Sequence, residues 1–147
     1  MKKALILLVL LCLASSIKAQ TDAPFMNIRL SFLLFPFSPL MTLEVRTIGN
    51  LTVQSETNFS NTHGVNLKYY TTQRMEKNYF FVGSAFVSNA LLRADKKPTT
   101  LLYGGYGYAH IFKNNWVFDG RIGIGPTINA DKNSVYPVIK LGAGKRF

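Results

Sequence analysis

Residues able to carry out nucleophilic chemistry are few in this chain and do not form a known arrangement. A serine hydrolase needs a serine beside a histidine that a carboxylate orients. The chain has two histidines, His63 and His110, and only Ser60 and Glu56 lie near His63 in sequence. Alternation along a strand puts both of these on one face, below a loop that carries His63. We predict no catalytic residue, and we predict that the chain is not an enzyme.

Metal and nucleotide sites are not indicated either. Neither histidine has a cysteine or carboxylate at metal-ligand spacing, and the one cysteine, Cys12, lies in an apolar N-terminal run. A nucleotide-binding glycine loop must lie between a strand and a helix. No helical pattern follows the three Gly-x-Gly doublets, which are Gly105-Tyr106-Gly107, Gly123-Ile124-Gly125 and Gly142-Ala143-Gly144. We predict no metal and no cofactor.

The glycine doublets fit strands. Residues two apart in a strand share a face, so each doublet places both glycines on one side. On three consecutive strands they would form a thin wall that leaves room for long arginines reaching across. Nearly every strand charge falls on the same face as these small residues. We predict a paired polar network inside a barrel, formed by Arg29, Glu44, Arg46, Glu56, Lys68, Asp119, Arg121 and Lys140.

These faces belong to eight alternating segments separated by turn-like clusters. In the seventh segment Trp116, Phe118 and Ile122 oppose Asp119 and Arg121. The fifth segment, 79–90, is apolar on both faces, so its sequence does not show which face is polar. The pair Gly49-Asn50 suits a two-residue hairpin, because glycine accepts a positive φ. The predicted strands are 26–35, 40–48, 51–60, 64–72, 79–90, 100–112, 116–128 and 135–147.

The segment lengths predict a membrane barrel. A tilted strand needs about 9–11 residues to cross a bilayer, and an even strand number puts both termini on one side. The predicted fold is all-β, an eight-stranded antiparallel up-and-down transmembrane β-barrel. The connections at 49–50, 73–78 and 113–115 then face the periplasm. Those at 36–39, 61–63, 91–99 and 129–134 face outward. Many aromatic residues lie near strand ends, which is typical of girdles at lipid headgroups and also of cross-strand packing.

The N-terminus has the pattern of an export signal. Lys2 and Lys3 precede the apolar run 4–14, and small residues end at Ala19. This pattern predicts a cleaved signal peptide at 1–19, a short tether at 20–25 and a barrel domain at 26–147. We predict export to the cell outer membrane.

The net positive charge of the chain raises the question of an anionic partner, either nucleic acid or anionic lipid. The chain has a formal charge of +10, and without the first 19 residues 14 basic and 7 acidic side chains remain, leaving +7. The longest Lys/Arg run is Lys96-Lys97, and export argues against nucleic acid. We predict as partners the outer-membrane lipid with its anionic lipopolysaccharide and an unidentified surface or periplasmic protein.

Glycine–aromatic motifs in the second half of the chain carry a resemblance to known proteins. They are Tyr103-Gly104-Gly105-Tyr106-Gly107-Tyr108, Ile111-Phe112-Lys113-Asn114, Trp116-Val117-Phe118-Asp119, Gly123-Ile124-Gly125 and the terminal Phe147. With these residues the chain resembles small eight-stranded outer-membrane barrels of the OmpA/OmpX-like set, over residues 25–147, and more narrowly it is similar to a family of uncharacterised barrels of Bacteroidota. The resemblance implies a membrane barrel without assigned catalytic residues, and it implies that the barrel-assembly machinery reads Phe147 as the assembly signal. Lipid A deacylases carry a His-x-Ser pair on a strand, which His110-Ile111-Phe112 and His63-Gly64-Val65 lack.

The predicted function is structural or interactive, with a packed polar interior and no open pore, because an eight-stranded barrel is only wide enough to be filled by side chains. The first alternative is a soluble periplasmic calycin-like barrel that binds an apolar ligand, since alternation marks two faces without saying which is inside. The second alternative is a lipid-modifying outer-membrane enzyme.

Overall fold

The computed structural model describes residues 25–34, 37–88, 98–128 and 134–147. Among these residues, no helix is long and apolar enough to cross a membrane. The strands, in chain order, are β1 (Met26–Leu34), β2 (Phe37–Ile48), β3 (Leu51–Thr57), β4 (Thr62–Tyr70), β5 (Lys77–Val87), β6 (Thr99–Ile111), β7 (Trp116–Ile128) and β8 (Val135–Arg146).

The eight strands close into a barrel. Each strand pairs antiparallel with its neighbour in sequence, and β8 returns to pair with β1. At this closing seam Leu30 lies opposite Ala143 and Leu33 lies opposite Lys140. The prediction of an all-β, eight-stranded antiparallel barrel is confirmed.

One strand ends earlier than predicted. β3 stops at Thr57 rather than at residue 60. The side-chain Oδ1 of Asn58 accepts hydrogen bonds from the backbone N–H groups of Ser60, Asn61 and Thr62 at 3.1, 3.0 and 2.9 Å. Such local side-chain bonds offer the backbone an alternative to a sheet ladder. The chain therefore turns at Asn58 instead of continuing the strand.

Another strand begins earlier than predicted. β2 starts at Phe37, inside the segment that we expected to be a connection because of its prolines. Pro39 lies opposite Phe32 of β1, whereas the pairing of β2 with β3 begins only at Met41. This part of β2 has one strand neighbour, so the missing N–H of proline costs no ladder bond.

The two ends of the barrel differ, and we name them by what they carry. The terminal end holds residues 25 and 147 and the turns at 49–50, 71–76 and 112–115. The loop end holds residues 58–61 and the strand ends Leu34, Phe37, Val87, Thr99, Ile128 and Val135. Gly49 has a φ of 56°, which is the positive value that we expected for this hairpin. Several predicted features lie wholly or partly outside the described residues: the signal peptide at 1–19, residues 20–24 of the predicted tether at 20–25, positions 35, 36, 89 and 90, and most of the connections at 91–99 and 129–134.

Side chains alternate between the inside and the outside of the barrel. In β4, every second residue from Thr62 to Tyr70 is buried, and the residues between them are exposed. In β5, whose two faces could not be distinguished from the sequence, Tyr79, Phe81 and Val87 are the buried large side chains. The core is thus the inside of the barrel, and its contents form the candidate site.

Candidate functional site

The barrel interior contains all eight residues of the predicted polar network, and each is at most 6% exposed. They come from six strands: Arg29 from β1, Glu44 and Arg46 from β2, Glu56 from β3, Lys68 from β4, Asp119 and Arg121 from β7, and Lys140 from β8. A buried charge is tolerated only when it is paired and hydrogen-bonded. Seven of the eight form two ion clusters, and Arg46 lies apart.

The first cluster, at mid-barrel, holds two acids and two bases. Arg29 donates to Glu44 in a short ion pair, and its Nη1 lies 3.8 Å from Asp119 Oδ2. Lys68 Nζ lies 3.4 Å from Glu44 Oε2 and 3.3 Å from Asp119 Oδ2. Tyr79 Oη donates to the same Asp119 oxygen at 2.7 Å. The cluster therefore ties β1, β2, β4, β5 and β7 together across the barrel.

The second cluster is built on one carboxylate. Glu56 Oε1 accepts from Arg121 Nη2 at 2.6 Å and from Lys140 Nζ at 2.7 Å. Lys140 also donates to Thr42 Oγ1 at 3.0 Å. One acid thus pairs with two cations, and the cluster keeps a formal charge of +1.

Gln54 joins the two clusters. Its Oε1 accepts from Arg29 Nη2 at 3.2 Å, and its Nε2 donates to Glu56 Oε1 in a short hydrogen bond. Gln54 lies two residues before Glu56 in β3 and so shares its inward face. Its bridging role depends on the stagger between strands, which no sequence pattern specifies.

Aromatic rings line the wall formed by β4, β5 and β6 and pack against the cations. Lys68 Nζ lies 4.2 Å from the centre of the Tyr79 ring, and Arg121 Cζ lies 4.8 Å from the centre of the Phe81 ring. Such cation–π contacts contribute about 2 kcal/mol or more when the cation is desolvated. The polar network therefore rests on an aromatic wall, which explains why the apolar segment β5 belongs in a charged interior.

The glycine doublets allow close approach between neighbouring strands and make room for some of those rings. A methyl group on Gly105, Gly125 or Gly144 would overlap a backbone carbonyl oxygen of the neighbouring strand. A methyl group on Gly107 would overlap the Tyr79 ring, and one on Gly123 would lie 2.9 Å from Phe81 Cζ. Only Gly144, where a methyl group would lie 2.7 Å from Arg29 Cγ, makes room for an arginine in the way we expected. The thin wall is present, and it permits close strand packing as well as space for two aromatic rings.

A turn closes the terminal end. We call residues 71–76 the plug turn, because the Met75 side chain enters the barrel and is 1% exposed. Arg46 donates to the backbone carbonyl of Gln73, and Arg146 Nη1 donates to that of Arg74 at 3.2 Å. Met75 and Lys77 both have positive φ values, 55° and 65°. A single apolar residue in a polar turn was the only sequence signal for this plug.

The outer surface of the barrel is apolar. Exposed aliphatic and aromatic side chains follow one another around the strands, as in the cross-strand row Tyr69, Phe80, Tyr106 and Ile122. The rings of Phe80 and Tyr106 pack edge to face with centroids 5.6 Å apart. A continuous apolar surface of this kind marks a contact with a membrane or a partner.

The two histidines lie on the outer face, at opposite ends of the barrel. His63 Nδ1 is 2.9 Å from Thr57 Oγ1, and His110 packs edge to face on Phe112 at 4.7 Å. Glu56, whose side chain points inward, does not orient His63. Among the described residues, no group of three or more His, Cys, Asp or Glu side chains could hold a metal ion.

The terminal Phe147 completes the seam. Its side chain is exposed, its N–H donates to the Met26 carbonyl at 2.8 Å, and its carbonyl accepts from the N–H groups of Phe25 and Met26.

A comparison of the chain with protein-family models, curated proteins and solved structures finds no match in any of the three.

Proposed function

We propose that this protein is an outer-membrane β-barrel with a structural or interaction role, a packed polar interior and no open pore. One observation carries the proposal: charges lie inside the barrel, and the outer surface is apolar. Ile122 and Ile124 are exposed at 62% and 63%, whereas Asp119, on the same strand, is fully buried. This polarity is the reverse of that of a water-soluble protein and matches a bilayer-spanning barrel.

The same observation argues against a soluble barrel that binds an apolar ligand. Such a protein needs an apolar cavity and a solvated polar outside. Here the mid-barrel space is occupied by Arg29, Glu44, Lys68 and Asp119. A ligand of that kind would have to displace two ion clusters.

The filled interior supports the absence of a pore. The second cluster spans the barrel from β3 to β7 and β8, and Met75 closes the terminal end. An interior cavity near the loop end, lined by Leu40, Leu101 and Arg121 among others, measures about 20 Å³. That volume holds about one water molecule, which is far too little for ion flow.

The location and partners follow from the proposed membrane barrel. The signal peptide at 1–19 would export the chain, the barrel-assembly machinery would read Phe147, and outer-membrane lipid with lipopolysaccharide would surround the apolar surface. A surface or periplasmic protein is the remaining proposed partner. A lipid-modifying activity gains no support, because among the described residues no serine is hydrogen-bonded to either histidine.

The experiment is fractionation combined with gel mobility. We expect the cleaved protein to sediment with outer membranes, and an unboiled sample to migrate differently from a boiled one on a denaturing gel. Recovery in the soluble periplasm without detergent would contradict the proposal. A control chain truncated before β8 should lose the mobility shift, since it cannot close the seam.

A further inference from the structure

Three arginines meet at the terminal end of the barrel. Arg46 is 6% exposed, Arg146 is half-buried and Arg74 is exposed on the plug turn. The charges of Arg46 and Arg146 interact, and so do those of Arg146 and Arg74. Like charges held together cost free energy unless an opposite charge lies between them.

Neutral partners hold these arginines in place. Arg46 donates to the Gln73 carbonyl, and Arg146 donates to the Arg74 carbonyl at 3.2 Å and to Asn115 Oδ1 at 3.3 Å. These bonds fix the guanidinium groups, but their neutral acceptors do not compensate the positive charges. The plug turn therefore acts as a frame that positions the cluster.

The acids nearby are too few for the bases. Glu76 interacts with Arg146 and is the one acidic side chain at this end among the described residues. Arg46 Nε is buried and has no hydrogen-bond partner in the described part of the chain. Three exposed lysines add to the excess, and they are Lys77, Lys113 and Lys145.

We propose that Arg46, Arg74 and Arg146 form a binding site for a phosphate-bearing anion. Guanidinium groups match phosphate oxygens with two parallel hydrogen bonds, and several such groups around one anion satisfy both charge and donors. The phosphate is either that of a phospholipid headgroup or free phosphate. In its phospholipid form the inference rests on the proposed membrane location.

The test uses the full mature chain refolded into neutral detergent. Inorganic phosphate is titrated against sodium chloride of equal ionic strength, and the urea midpoint of the gel-mobility shift is followed. We expect the urea midpoint to rise with added phosphate until it levels off, and we expect no such rise with sodium chloride. Arg74→Gln and Arg146→Gln should each weaken the apparent affinity for phosphate about tenfold or more, because each removes one guanidinium group with its charge and its paired donors. Lys113→Gln, a matched loss of charge on another turn of the same end, should leave it unchanged.

The lipid arm distinguishes the two sources. The same variants are refolded into phosphatidylcholine vesicles with and without phosphatidylglycerol. Stabilisation by phosphatidylglycerol but not by inorganic phosphate assigns the site to a headgroup, and stabilisation by both assigns it to phosphate in either form. An equal effect of chloride, an equal loss in Lys113→Gln, or no effect of either probe would overturn the proposal.

The controls separate this proposal from that of the membrane barrel. Folding of each variant is checked by its mobility shift without phosphate. If the chain proves soluble, the inorganic phosphate titration is run in buffer, so the arginine site is tested whether or not the membrane location holds.

Discussion

Glu56 is the residue on which the second ion cluster depends. Its Oε1 accepts from Arg121, Lys140 and Gln54, and its side chain is 4% exposed. Removing one partner of a buried ion pair is costly because the remaining charge is left desolvated. Here two cations would be left without their acid.

Glu56→Gln should therefore destabilise the barrel by about 3–5 kcal/mol. The free energy of unfolding is obtained from urea titration of the mobility shift in detergent. The matched control is Ser55→Ala, an exposed neighbour on the same strand, which should change stability by less than about 0.5 kcal/mol. Equal stability of Glu56→Gln and the wild type would mean that the cluster contributes nothing.

Gly107 tests the packing of the aromatic wall. Gly107→Ala should lower the free energy of unfolding by about 1–3 kcal/mol. The added methyl group would overlap the Tyr79 ring, and that ring would have to move within a filled interior. At Gly120 the nearest atom to an added methyl group is Leu141 Cδ2 at 3.4 Å, an ordinary contact. Gly120→Ala should therefore be close to neutral. Thermal melting of both variants, followed by the mobility shift, decides between them.

At the scale of elements, the strands were predictable and their contacts were not. Alternation located all eight strands and put the eight network residues on shared faces. The ends of β2 and β3 differed, because one-sided pairing at Pro39 and the hydrogen bonds of Asn58 are tertiary and local effects that alternation does not express. Gln54 and Met75 were missed because their roles depend on how strands are staggered and how a turn folds back.

The plug turn is the element whose loss should be most visible. Met75→Ala removes a fully buried side chain and should destabilise the barrel by about 2–5 kcal/mol. Thr72 offers a control in the same turn: its hydroxyl donates to the Glu76 carbonyl at 2.8 Å in a partly buried site, so Thr72→Ser should retain stability. Limited proteolysis at residues 71–76 should become faster in Met75→Ala only.

At the scale of the whole molecule, the outer surface should behave as a lipid contact. A charge near the middle of a lipid-facing strand costs about 2–4 kcal/mol and close to the interface about 0–1. Ile122→Arg, at the middle of β7, should destabilise the barrel in vesicles far more than Ile48→Arg beside the Gly49 turn. A soluble protein would tolerate both, since the two isoleucines are 62% and 81% exposed.

The filled interior predicts the electrical behaviour of the whole barrel. Purified protein in planar bilayers should show no discrete conductance steps, because ion clusters and the plug turn occupy the lumen. A large-pored trimeric porin serves as the positive control. Steady conductance by a homogeneous folded sample would contradict the packed interior.

The seam between β1 and β8 has a consequence for how the protein reaches its folded state. The two strands pair from Asn27 with Arg146 to Leu33 with Lys140, so the contact joins the beginning and the end of the barrel domain. In the proposed membrane barrel, an unformed seam would leave Arg29 and Lys140 at an open edge facing lipid, and Lys140 would be separated from Glu56 on the far side of the seam. In the proposed membrane barrel we therefore expect a half-closed sheet to be unstable in hydrocarbon, so that insertion and closure would occur together. In that case the first strand could not insert before the last strand has been made.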